Sequence, residues 1–132
     1  MVEKQIEKYN VYFNTVIKNS LSKAFIEKYL FYNGFHDWDV ISIENNVLTY
    51  ERPKKDLTIT LFNYSKKTVK KIHYNGVRVF RTNFNEVHFQ QWSYDGYSID
   101  EFFRFDNGLF SHEVFFPSGS SYYVEFESVK II

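Results

Sequence analysis

Cysteine is absent from this 132-residue chain, which excludes disulfides, thiolate nucleophiles and every cysteine-based zinc or iron–sulfur site. Alanine and methionine occur once each, as Ala24 and Met1, so the strongest helix formers are scarce. Only two prolines and five glycines are present and no Gly/Ser/Pro tract occurs, so nothing marks a disordered linker. No apolar run approaches the roughly 18 residues of a membrane span, and the first ten residues, MVEKQIEKYN, lack the apolar core of a signal peptide. A cytoplasmic protein with no membrane association is expected. There is no P-loop, no GxGxxG and no internal repeat.

Aromatic residues take up the space left: 15 Phe, 11 Tyr and two Trp make 21% of the chain. Such residues suit a pleated, half-buried surface, and the length suits one domain with one core. Net charge is zero but unevenly laid out. From Arg52 to Arg81 nine bases face one acid, Asp56, and from Glu86 to Glu127 eight acids face one base, Arg104. Either the two segments lie side by side and neutralise each other, or they make the molecule a dipole able to steer a charged partner.

Four turn signals divide residues 38–116 into hairpins, and a two-residue loop fixes which side chains share a face. Around Asn45-Asn46, Ile43/Leu48 and Ile41/Tyr50 fall together. Around Asn75-Gly76, Tyr74/Val77 and Ile72/Val79 share a face, with Lys71 and Arg78 opposite. Around Asp95-Gly96, Tyr94/Tyr97 and Trp92/Ile99 align, and around Asn107-Gly108, Phe105/Phe110 and Phe103/His112 align. The last two loops share the strand from Tyr97 to Asp106 and make its odd-numbered face the apolar one, with Glu101 dissenting. The expected buried set is Ile72, Tyr74, Val77, Val79, Phe103, Phe105 and Phe110, with Lys71 and Arg78 exposed. Leu57, Ile59 and Leu61, and then Tyr122, Val124 and Phe126, alternate as two further strands.

Residues 1–33 read differently, because Val2, Ile6, Tyr9, Phe13 and Val16 recur at the spacing of one helical stripe. Leu21, Ala24, Phe25 and Lys28 repeat it after Ser20, a suitable N-cap, and Gly34 supplies a stop. The competing reading is a strand at Tyr9–Phe13. The expected fold is α+β, a single domain over 1–132. In it the N-terminal helix or helices of 1–33 pack on a curved antiparallel β-meander of eight or nine strands over 34–132.

Candidate chemistry is sparse. The stretch His36-Asp37-Trp38-Asp39 offers imidazole and carboxylates, yet adjacent strand residues point to opposite faces, so it reads as architecture: His36 and Asp37 bonding backbone where helix meets sheet, Trp38 packed beneath. Ser111-His112-Glu113 holds the letters of a triad, but contiguous strand residues cannot form a relay, and parity makes His112 a core histidine. The run from Lys66 to Lys71 lacks the exposed aromatics of a nucleic-acid platform, so no nucleic-acid partner is expected. Gln90, Gln91, Trp92, Tyr94, Asp95 and Tyr97 could face a sugar or cap a turn. No enzyme activity, cofactor or metal is expected.

Phe35-His36-Asp37 before the alternating strand Val40-Ile41-Ser42-Ile43-Glu44, the hairpin from Leu109 to Ser120 and the final strand Tyr123-Val124-Glu125-Phe126 carry a resemblance. The chain resembles small FHD-bearing proteins of Gram-positive bacteria, some of them immunity proteins of polymorphic toxin systems. The resemblance implies a bacterial, cytosolic, non-enzymatic protein. The leading expectation is a protein-binding module that neutralises a basic toxin through the acidic third of the chain: Glu86, Asp95, Asp100, Glu101, Asp106 and Glu113. The alternative is a small-ligand-binding protein or enzyme using a concave sheet face, with His36 and Asp37 or Trp92 and Tyr94 at its rim.

Overall fold

The computed structural model describes residues 2–47, 55–85 and 95–132. Helix α1 (Val2–Tyr12) runs into a π-turn at Phe13–Ile17 and a last α-turn at Lys18–Ser20, and α2 follows at Lys23–Phe31. The wider π-turn brings Phe13 and Ile17 onto the buried stripe while Ile6 stays half exposed. The N-cap of α2 is Ser22, whose Oγ accepts from the Phe25 amide at 3.2 Å. Ser20, the expected cap, instead donates back to the Val16 carbonyl inside the preceding turn. The strand reading of Tyr9–Phe13 gives way to helix.

Eight strands follow among the described residues: β1 (Asp39–Val47), β2 (Lys55–Asn63), β3 (Thr68–Asn75), β4 (Val79–Asn83), β5 (Ile99–Arg104), β6 (Phe110–Phe115), β7 (Ser121–Phe126) and β8 (Ser128–Ile131). All pairs are antiparallel, in two four-stranded sheets ordered β1-β2-β3-β8 and β4-β7-β6-β5. The α+β class is as expected, but a single meander is not what forms. The chain crosses between sheets twice, at residues 76–78 and at Glu127. Each crossing is bonded to the strand that the other leaves, Glu127 N to Asn75 O of β3 at 2.9 Å and Arg78 N to Glu125 O of β7 at 2.8 Å.

All four turn readings need correction. Asn45 and Asn46 lie within β1, paired with Leu57 and Asp56; Leu48 and Tyr50 fall outside the described residues. Asn75-Gly76 opens no hairpin, because β3 and β4 belong to different sheets. Ile72 and Tyr74 are nevertheless fully buried, Val77 and Val79 partly so, and Lys71 and Arg78 exposed. At Asp95-Gly96 the segment 95–98 is not strand and Gly96 lacks the positive φ of a type I′ turn; Trp92 and Tyr94 lie outside the described residues.

The fourth, Asn107-Gly108, does join a hairpin, but with one residue more in the loop. Phe105 N donates to Leu109 O, Gly108 turns left-handed at φ +85°, and Arg104 pairs with Phe110. That shift exchanges the two faces of β5. Phe102 is buried at 1% exposure, whereas Phe103 stands 50% exposed beside Ile99 and Glu101, and Phe105 is only partly buried. Glu101, the lone dissenter from the apolar face, sits on the solvent face.

Both sheets turn their apolar faces to one core. Leu57, Ile59, Leu61, Ile72 and Tyr74 come from the first sheet, Phe102, Phe110, Val114, Tyr122, Val124 and Phe126 from the second, and Ile17, Phe25 and Phe35 from the helical segment. The helices also protect the sheet margins. Phe102 N donates to Tyr9 Oη at 2.7 Å and Arg104 N to Tyr12 Oη at 2.8 Å, so α1 satisfies alternate amides on the free edge of β5. Lys28 Nζ bonds the Ile131 carbonyl of β8 at 3.0 Å.

HDWD occupies the joint between helices and sheet. Trp38 is buried, edge-on to Phe35 and Tyr32, and its carbonyl accepts from Tyr97 N at 2.9 Å while Asp37 N donates to Tyr97 O at 2.9 Å. Gly96 makes this approach possible: a Cβ there would stand 2.7 Å from the Asp37 carbonyl carbon. The side chains of His36 and Asp37 are 54% and 61% exposed and pair with each other at 3.2 Å. The joint is therefore made by Trp38 and by backbone.

Candidate functional site: a helix–strand cavity over a buried carboxylate

The inward face of β5 carries Asp100 and Phe102, and pairing with β6 sets Phe102 against His112. Two residues apart on one strand share a face, so Asp100 and His112 are diagonal neighbours. His112 Nε2 lies 2.7 Å from Asp100 Oδ2. Tyr29 of α2 donates to both carboxylate oxygens, at 2.9 and 2.8 Å. The His112 side chain is 1% exposed and that of Asp100 12%.

Behind the histidine runs a chain of phenols. Tyr74 Oη is 2.6 Å from His112 Nδ1 and 3.1 Å from Tyr122 Oη, which in turn bonds the Tyr97 hydroxyl. An ionised Asp100 only accepts, so His112 Nε2 donates to it, and in the neutral imidazole Nδ1 then accepts from Tyr74. Each hydroxyl passes the same polarity on, and the whole series points its donors toward Asp100. Burial pushes the pKa values of Tyr74, Tyr97 and Tyr122 well above the ordinary tyrosine value. Tyr29 is raised by burial first and by the Asp100 charge second. All four phenols therefore stay protonated and able to donate.

Asp100 forms part of the floor of a cavity of about 550 Å³ between α1, the end of α2 and residues 97–101. Ile6, Tyr9, Phe13, Leu30 and Ile99 supply apolar wall, and Asn10, Asn14, Asn33 and His36 supply polar groups. Tyr9 and Glu101 also border a second hollow of about 310 Å³ on the outer face of β5–β6, with Lys8, Tyr12, Phe103, Glu113 and Tyr123. There Glu101 and Glu113 stand directly opposite each other in register. Among the described residues neither carboxylate forms an ion pair with a lysine or arginine.

The six acids expected to share a surface are thus dispersed. Glu101 and Glu113 come together, and Asp106 is exposed in the β5–β6 turn. Asp95 is buried and accepts from Ser118 N at 3.0 Å and Ser118 Oγ at 2.7 Å. Asp100 points inward, and Glu86 lies outside the described residues, as do Gln90 and Gln91. His36 lines the cavity between α1 and β5, whereas Asp37, its partner at the rim in the ligand-binding alternative, does not, and the cavity is not the concave sheet face of that alternative. His112 is a buried histidine as expected, stacked on Phe102 rather than beside Phe103. Nothing in the local sequence marks Tyr29 or Tyr74 as a site residue, since no local pattern pairs Tyr29 with an acid 71 positions away.

A second polar constellation lies in the first sheet. Asp56 Oδ2 is 3.0 Å from His73 Nε2, and His73 Nδ1 is 2.8 Å from Thr58 Oγ1. Thr58 and His73 are register partners, so the arrangement ties β2 to β3. Neither hollow reaches it. Acids and bases mix within each sheet: Lys55, Lys70, Lys71 and Lys130 lie with Asp39, Glu44 and Asp56 in the first, and Asp100, Glu101, Glu113 and Glu125 with Arg81 and Arg104 in the second, while Arg78 pairs with Glu127 at 2.7 Å where the chain crosses.

No helix among the described residues is long and apolar enough to cross a membrane. No family model, curated protein or solved structure matches this chain.

Proposed function

We propose that the chain is a cytosolic, non-enzymatic protein-binding module of the immunity kind, which holds a basic partner against the outer face of β5–β6. One observation carries the reading. Glu101 and Glu113 face each other on an exposed sheet surface, next to the half-exposed ring of Phe103. Like charges directly opposite on a sheet destabilise it, so this pair costs the free protein stability. A lysine or arginine from a partner would offset that cost, and Phe103, stacked on Tyr12 at 5.8 Å, offers a flat apolar contact beside it. The four acids on the strands of the second sheet outnumber Arg81 and Arg104 there, and that excess adds a long-range attraction for a cationic protein. The FHD resemblance supports the same class of partner, a bacterial toxin domain.

The test is co-expression with a toxin encoded beside this chain. Protection of growth should be lost with Glu101→Lys/Glu113→Lys and retained with Lys66→Glu/Lys67→Glu, which reverses charge on the β2–β3 turn. Protection that survives reversal at Glu101 and Glu113 would refute this surface.

A further inference from the structure

We propose that the cavity between α1 and β5 is a binding site for a small organic ammonium compound with an apolar body, its cation held by Asp100. This goes beyond the protein-binding reading and does not rest on it, since the two hollows have only Tyr9 and Glu101 in common among their described lining residues.

The charge of the lining selects the ligand. Asp100 and Glu101 are its acids, and among the described residues its lining contains no lysine or arginine. An anionic ligand would meet two carboxylates with no permanent cation to offset them. A cation meets an acceptor with capacity to spare. Oδ2 of Asp100 takes bonds from His112 and Tyr29, whereas Oδ1 takes only its share of the forked Tyr29 hydroxyl. An ionised carboxylate offers about four lone-pair positions, so at least one on Oδ1 remains for an N–H of the ligand. Among the described residues no lysine or arginine pairs with Asp100, and a charge so nearly buried is stabilised by any cation that reaches it.

The walls set the rest of the ligand. Ile6, Leu30 and Ile99 are each about half exposed although they line a hollow, so their apolar surface is available to a guest. At about 550 Å³ the space falls in the range of small-molecule sites and fits an aryl or branched alkyl group. The amides of Asn10, Asn14 and Asn33 leave room for one further polar group on the ligand. Water excluded by the apolar walls strengthens the ammonium–carboxylate contact.

Calorimetric titration of the full chain with 2-phenylethylamine and 4-phenylbutylamine, beside 2-phenylethanol and phenylacetate, tests the proposal. At least one amine should bind about tenfold or more tighter than the alcohol, and phenylacetate should not bind. Asp100→Asn should erase the preference for amine over alcohol. Because that variant disturbs His112, Leu30→Trp provides an independent arm: it fills the cavity from a half-exposed position, should melt with the parent, and should abolish amine binding. Equal affinity for amine and alcohol, no saturable binding of either amine by the folded parent, or binding unaffected by Leu30→Trp would each overturn the proposal.

Discussion

The imidazole of His112 lies flat against the ring of Phe102, with centroids 3.9 Å apart and planes 7° from parallel, while its two nitrogens bond Asp100 and Tyr74. A side chain held on both edges and one face has no freedom to swing. Truncation in His112→Ala takes one donor from the Asp100 carboxylate and the acceptor from the Tyr74 phenol, and it opens a core cavity beside Phe102, so the total loss should exceed about 3 kcal/mol. Tyr97→Phe removes only the far end of the series and should cost about 1 kcal/mol. Urea unfolding at neutral pH separates the two; a His112→Ala loss no larger than that of Tyr97→Phe would mean the network contributes little to stability.

Phe102 and Phe103 are adjacent on β5 and so point to opposite faces, and the three-residue loop at 106–108 makes Phe102 the buried one. Phe102→Ala should destabilise by about 3–5 kcal/mol, as for a core aromatic. Phe103→Ala should stay within about 1 kcal/mol, and on the proposed binding reading it should weaken partner association instead.

That contrast also marks how far the sequence could be read. Tyr122, Val124 and Phe126 alternate with Tyr123, Glu125 and Glu127, so one face of β7 is polar enough to decide the matter, and the buried face follows. On β5 both faces carry aromatics, and Asn-Gly permits a loop of two residues or, with Gly108 as the left-handed third, of three. Nor does Glu101 decide it, because the face that is buried carries an acid of its own, Asp100, which Tyr29 and His112 satisfy only once the chain has folded. The cavity was not legible at all. Its acid, Asp100, reads as one more charge in an acidic run, and only folding brings α2 and β6 to it.

The HDWD joint predicts three outcomes. Trp38→Ala should cost about 3–5 kcal/mol. His36→Ala and Asp37→Asn alter half-exposed side chains and should fall within about 0.5 kcal/mol of the parent. Gly96→Ala places a methyl against the Asp37 backbone, where neither side can retreat without breaking the Asp37–Tyr97 and Trp38–Tyr97 bonds, and should cost about 1–3 kcal/mol. Thermal melts of the four variants suffice. A large loss at His36 with none at Gly96 would place the anchor in the imidazole after all.

The buried phenols make stability depend on pH at the alkaline end. Tyr29, Tyr74, Tyr97 and Tyr122 all have raised pKa values in the folded chain, chiefly from burial. A raised value means that the folded protein holds the proton more tightly than the unfolded chain, whose tyrosines titrate near about 10. Their contribution is therefore fully present below about pH 10 and lost as pH rises through that value toward the folded pKa. Each buried phenol that ionises only on unfolding adds a slope of about 1.4 kcal/mol per pH unit. Urea unfolding in steps above about pH 9 should show a steep fall, with tyrosinate absorbance rising together with loss of the folded signal. Tyr97→Phe removes one such proton and should flatten the slope by about that amount. Four tyrosines that ionise before the fold is lost would contradict the buried network and, with it, the orientation of the donors that serve Asp100.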